Sequence, residues 1–175
     1  MNTITIAYPS QVSTDIFREY HSGELYGSEV NPNTGIMVED GLCEIWFKRE
    51  KEVELESAGK RMDLFNAFVF GKVALPYKLI IPEKVTFFAI KIQPWATWYF
   101  DNDPNNPITQ LSEEEQKGVD QLSKELFQKV SMDERVKLVE EFLGQFEFLM
   151  TEEMILCREL CEEIYMRKGM VKVNE

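Results

Sequence analysis

Histidine is almost missing from this chain: His21 is the only one among 175 residues. A Ser-His-Asp triad would have to use it, and nothing near it resembles a nucleophile elbow. Metal sites built inside small β-barrels take several imidazoles, which one histidine cannot supply. His21 falls on a predicted strand beside Tyr20 and reads as a structural or surface residue. Cysteine is scarce as well. Cys43, Cys157 and Cys161 are few and odd in number, which suits reduced thiols in a cytoplasmic protein. Cys157 and Cys161 stand four apart on a predicted helix. Core packing with Leu160 and Ile164 is the plain reading, and half of a thiol site or a redox pair is the other. No histidine or third cysteine lies near enough in sequence to complete a metal site. Glycine is scattered rather than clustered: Gly35, Gly41, Gly59 and Gly71 are isolated turn glycines, so no phosphate-cradling loop exists. The Gly-Glu cassette and following arginine of a cyclic-nucleotide module are also missing. No apolar run approaches the ~20 residues of a membrane span. Residues 1–10 lack the basic start and apolar stretch of a signal peptide. Basic residues are outnumbered, 19 Lys and Arg against 31 Asp and Glu, for a net charge of −12. Such a chain has no basic face with which to grip phosphates by itself. The acidity is spread out, as on a solvated surface, and there is no internal repeat or low-complexity segment.

What is present is apolar and aromatic: 44% of residues are hydrophobic and 12% aromatic, ample for a core in a chain of this length. The two parts of the chain are written differently. Up to about Phe100, short runs rich in Val, Ile, Phe, Trp and Tyr predict strands over 15–21, 35–38, 42–48, 52–56, 64–70, 77–81 and 86–92. Turn signals separate them, such as Asn31-Pro32-Asn33-Thr34-Gly35, Glu39-Asp40-Gly41 and Ser57-Ala58-Gly59. Val53 and Leu55 alternate with Glu52, Glu54 and Glu56, which predicts one wet face. Phe87-Phe88-Ala89-Ile90 is continuous and predicts a central strand. Strands at this spacing suggest a barrel or sandwich.

Pro94 opens a short helix at its first position, and residues 101–107 are a turn-rich connector. Three helix starts then share a spelling. Ser112 with Glu115, and Ser131 with Glu134, are capping boxes. Thr151-Glu152-Glu153 is a capped, acid-rich start. Apolar residues follow at helical spacing: Val119, Leu122, Leu126 and Val130; Val136, Val139, Phe142, Leu143, Phe146 and Leu149; Leu156, Leu160, Ile164 and Tyr165. The breaks near Val130–Ser131 and Met150–Thr151 predict tight, antiparallel or steeply angled neighbours. The second helix carries phenylalanines on more than one face, so Phe142, Phe146 and Leu149 are candidates for a surface shared with a second chain.

The remaining candidates for function are aromatic. Trp46, Phe68, Tyr77, Phe88 and Trp95 are candidate ligand-lining residues, since a cavity in a barrel needs inward aromatics with a few polar groups. Filling a small barrel solid takes the same aromatics. The carboxylates Glu39, Asp40 and Glu44 are the candidates for a metal-free enzyme. A ligand-free interaction module is a third possibility.

The stretch Val38-Glu39-Asp40-Gly41-Leu42-Cys43-Glu44-Ile45-Trp46-Phe47 resembles the P-D-G-x-x-E-L-I-F segment of one branch of AraC/XylS-type transcriptional regulators. Phe70-Gly71 resembles that branch's next strand end. Phe88-Ala89-Ile90-Lys91-Ile92-Gln93-Pro94 resembles its hydrophobic-G-hydrophobic-x-F-x-P stretch. The departures are Glu39 for proline, Ala89 for glycine and Ile92 for phenylalanine. Gly169-Met170-Val171-Lys172-Val173-Asn174-Glu175 is similar to the segment that opens the family's first DNA-binding helix-turn-helix. In local terms Arg167, Lys168 and Gly169 close a helix and Asn174-Glu175 starts another.

The resemblance implies an α+β chain. A cupin-like β-barrel or sandwich over 1–108 would accept a small effector. A subdomain of about three helices over 109–175 would pair two subunits into a homodimer. DNA would be bound only by carboxy-terminal helix-turn-helix units that are not in this chain. The family offers no catalytic residues, cofactor or metal to carry over. The expectation is therefore a cytoplasmic, non-enzymatic regulatory domain, truncated before its DNA-binding part.

Overall fold

A computed structural model describes residues 3–10, 14–27, 43–49, 53–57, 59–70, 77–81, 83–100, 108–110 and 113–167, with 57, 77, 98, 108–110 and 113–116 described by backbone alone. Along these residues run nine strands: β1 (Thr3–Ala7), β2 (Phe17–Tyr26), β3 (Glu44–Lys48), β4 (Glu54–Ser57), β5 (Lys60–Asp63), β6 (Ala67–Phe70), β7 (Tyr77–Ile80), β8 (Lys84–Ile92) and β9 (Ile108–Gln110). A 3-10 helix spans Pro94–Tyr99, and three α-helices follow: α1 (Glu113–Gln128), α2 (Met132–Leu143) and α3 (Glu152–Met166).

The strands form two antiparallel sheets. The large one has six strands in the order β1-β2-β8-β3-β6-β9, and the small one has three, β5-β4-β7. The class is thus mixed α+β. No ladder joins the two sheets among the described residues, and no closed barrel is seen.

Strand β8 explains the layering. Its side chains alternate between two faces, yet both sets are apolar and buried. Val85, Phe87 and Ala89 belong to one core with Trp46, Phe68 and Phe70 of the large sheet and Leu55 and Leu79 of the small sheet. Phe88, Ile90 and Ile92 belong to another, with Leu122 and Leu126 of α1, Val139 and Leu143 of α2, and Met154 of α3. A strand covered on both faces has no wet side, so its sequence is continuous rather than alternating. The molecule is therefore three layers deep: small sheet, large sheet, helices. The core under the helices crosses the expected 108/109 boundary, since Tyr20 and Phe88 share it with Leu126 and Val139.

The helix caps follow the sequence. Ser131 and Glu134 close a reciprocal capping box, and the Thr151 hydroxyl accepts from the Met154 N–H. Three expectations for the helical part need correction. Helix α2 stops at Leu143 with Gly144 as its cap, so Phe146 and Leu149 lie on the segment joining α2 to α3 and not on the helix. Val130 lies past the end of α1 and is 92% exposed. Helix α3 docks through Met154 and Cys161, which leaves Leu156 and Leu160 in solvent at 66% and 59% exposure. Two exposed polar contacts flank the docking face. Arg158 meets Asp15 at 3.0 Å, and Arg18 donates to the Tyr165 hydroxyl at 2.8 Å.

Strands β1, β5 and β9 were not expected. Lys60–Asp63 has little apolar character and is exposed throughout, so periodicity could not reveal it. Strand β1 crosses close to Gly23 of β2, where a Cβ would fall 1.8 Å from the Thr3 carbonyl oxygen. Only glycine lets this edge strand approach so near. The expected strand over 35–38, the capping residue Ser112 and the segment 169–175 lie outside the described residues.

Candidate functional site

The face of the large sheet turned toward the small one is only partly apolar. Cross-strand partners place their side chains on the same face, so the register can be followed as rows. One row runs Ile6, His21, Ala89, Trp46, Phe68 across β1, β2, β8, β3 and β6. The next runs Glu19, Lys91, Glu44, Phe70 across β2, β8, β3 and β6. Four polar residues thus stand side by side at one end of a face whose other end is aromatic.

They form a connected chain of contacts. Glu19 Oε1 lies 3.2 Å from His21 Nε2 and 3.4 Å from Lys91 Nζ. Lys91 Nζ lies 3.7 Å from Glu44 Oε1, and the Trp46 indole N–H donates to Glu44 Oε2 at 2.6 Å. The side chains of Lys91 and Glu44 are each 14% exposed. Charge carried at such depth strengthens each contact, because little water screens it. His21 Nε2 is fully enclosed and has no aligned hydrogen bond. Its 3.2 Å approach to Glu19 is a close contact, not a well-directed hydrogen bond. Lys48, opposite Phe87 on the same face, is 2% exposed.

The aromatic end is built on Trp46. Its ring stacks on Phe87 at 4.7 Å and Phe68 at 6.2 Å and meets Phe70 edge-on at 5.7 Å. The arrangement offers a flat apolar wall beside two carboxylates, an ammonium and an imidazole. Those rings are packed against Leu55 and Leu79 of the small sheet, so the part of this face that solvent still reaches is the polar row, with side chains 14–19% exposed. Among the described residues no group of three or more His, Cys, Asp or Glu could hold a metal ion.

The five candidate ligand-lining residues do not meet in one place. Trp46 and Phe68 stand together on this face. Phe88 stacks on Tyr20 at 5.9 Å in the core under the helices, and Trp95 lies in that core too, its indole N–H on the Asp15 carbonyl. The Tyr77 side chain lies outside the described residues. Of the three candidate carboxylates, Glu44 joins the polar row, while Glu39 and Asp40 also lie outside the described residues. Glu19, Lys91 and His21 were not picked out as a group. The available signal was Glu19 and His21 two apart on one predicted strand, with Glu44 and Lys91 on two others, but which face is inward depends on the second sheet.

On the opposite face, β2 turns its alternate residues to the helices. The Tyr20 hydroxyl donates to Glu140 of α2 at 3.3 Å, and Arg135 of α2 donates to the Ser22 hydroxyl. Phe142 is half-buried and packs on Phe146 at 5.5 Å. Phe146 and Leu149 are exposed, at 54% and 67%. No helix among the described residues is long and apolar enough to cross a membrane. No family model matches the chain, and no curated protein is significantly similar to it.

Proposed function

We propose that this chain is the effector-sensing and dimerisation domain of an AraC/XylS-type transcription regulator, acting in the cytoplasm without catalysis. The observation that carries the sensing part is the mixed polar and aromatic face of the large sheet: Glu19, His21, Lys91 and Glu44 in a connected row beside Trp46. The two stacked sheets are read as a cupin-like sandwich, with the effector meeting the polar row, the part of the inner face that solvent still reaches. Support for the family comes from the ordered motifs around Glu44–Phe47 and Phe88–Pro94. Those segments are β3 and the end of β8, the two strands that supply half of the polar row.

Strand β2 is common to both faces. Glu19 and His21 point toward the effector side, while Tyr20 and Ser22 hold Glu140 and Arg135 of α2. An effector that favours one setting of β2 would shift how α2 is held, and population linkage would carry that to the DNA-binding units. Two copies would pair through the exposed apolar residues of α3 and the preceding segment, including Phe146 and Leu149, with Phe142 beneath them.

Thermal shift of the chain against a library of small polar metabolites tests the sensing. At least one compound is expected to raise the melting temperature, and Lys91→Met and His21→Ala to abolish that rise. A compound that stabilises the wild type and both variants equally, or a library with no stabilising compound, would overturn the assignment.

A further inference from the structure

Cys157 and Cys161 lie four residues apart on α3, so their thiols project from one face of the helix. Cys157 is exposed and Cys161 half-buried. Burial, then the neighbouring Cys157, pushes the Cys161 thiol above its ordinary range. Both are free cysteines. Their partners for a metal are missing: no cluster of three or more His, Cys, Asp or Glu suited to an ion occurs among the described residues. Tetrahedral zinc, which takes three or four protein ligands, is thereby unsuited. Two soft donors side by side suit a thiophilic centre that asks only two bonds of the protein.

We propose that Cys157 and Cys161 form a dithiol site that chelates a trivalent arsenical across one turn of α3. With an organoarsenic oxide, R–As=O, the step is a condensation. Two As–S bonds form, the two S–H bonds and the As=O bond break, and the oxygen leaves as water carrying both thiol protons. Arsenic stays trivalent and neither sulfur is oxidised. The site borders the exposed residues Leu156, Leu160 and Ile164 of the same helix. It stands apart from the effector reading of the large sheet and does not depend on it.

Phenylarsine oxide is the probe, followed by intact-mass spectrometry of the whole chain. Wild type and Cys43→Ser are expected to gain one phenylarsenic group with loss of one water. The second thiol acts at an effective concentration on the order of millimolar. The adduct should therefore withstand 2-mercaptoethanol at ~0.1 mM about tenfold better than a single As–S bond does, and yield to 2,3-dimercaptopropanol. Cys157→Ser and Cys161→Ser, with helical content checked by circular dichroism, should lose this resistance. In the wild type, bound arsenical should protect both cysteines of α3 from iodoacetamide together, a readout that needs no variant. Retention of the adduct in either serine variant, or protection of Cys157 without Cys161, would overturn the proposal.

Discussion

Phe88→Ala is the sharpest probe of how the large sheet divides its two faces. Phe88 is fully buried, stacks on Tyr20 and shares its core with α1 and α2. Losing the ring's contact with an apolar surrounding costs about 2–3 kcal/mol. Strand β8 is held between β2 and β3, so the backbone cannot close the gap, and the unfilled cavity raises the total to about 3–5 kcal/mol. That is a large fraction of the ~5–15 kcal/mol that holds a domain folded. Phe68→Ala removes an equally buried ring from the other core and should cost a similar amount. The two variants should differ in place rather than in size. Under native conditions Phe88→Ala should raise amide exchange in α1 and α2, while Phe68→Ala should raise it in β4 and β7 and spare the helices. Urea unfolding gives the magnitude and hydrogen exchange the location. If Phe88→Ala costs less than about 1.5 kcal/mol, or opens the helices no more than Phe68→Ala does, the two-core description is wrong.

Three further outcomes are expected. Ser131→Ala removes the α2 cap and should cost about 1 kcal/mol. The Ser131 N–H, then its hydroxyl, holds the Glu134 carboxyl below its ordinary range. A carboxyl depressed in the folded state stabilises above its unfolded value, and that contribution is lost as pH falls through the folded value. The urea midpoint should therefore fall less between pH 7 and pH 3 in Ser131→Ala than in the wild type, and equal falls would count against the capping box. Glu44→Gln removes the charge 2.6 Å from the Trp46 indole nitrogen and should shift tryptophan emission without unfolding the chain; an unchanged spectrum would contradict that contact. The pair Leu156→Glu and Leu160→Glu, at exposed positions, should alter monomer stability by only about 0.5 kcal/mol each while abolishing self-association in sedimentation. A wild type that stays strictly monomeric at high concentration would refute the pairing through α3.

Much of the fold was legible because local physics wrote it. The capping box at Ser131 and the capped start at Thr151 named the starts of α2 and α3, and Pro94 marked the 3-10 helix. The apolar run at Phe87–Ile90 announced a strand buried on both faces. Element ends were less legible: Phe146 and Leu149 keep helical spacing after Leu143, but Gly144 ends the helix, and spacing alone does not show that. On helix α3 the stripe of Leu156, Leu160 and Ile164 was legible, but the face that docks is the one around Met154 and Cys161, with the ties of Arg158 to Asp15 and Arg18 to Tyr165 beside it. Those ties join residues more than 140 positions apart, beyond any local pattern.

By itself the sequence determined the type of most elements and the order of strands before helices. Those follow from propensity, periodicity and composition, which act over a few residues. Only the tertiary structure decided which aromatics stand together, parting Trp46 and Phe68 from Phe88 and Trp95, and which charges share a face. A strand's alternation gives two faces but not which of them is covered by what. That choice is made by the pairing of β2, β8 and β3, which sets Glu19, Lys91 and Glu44 in one row.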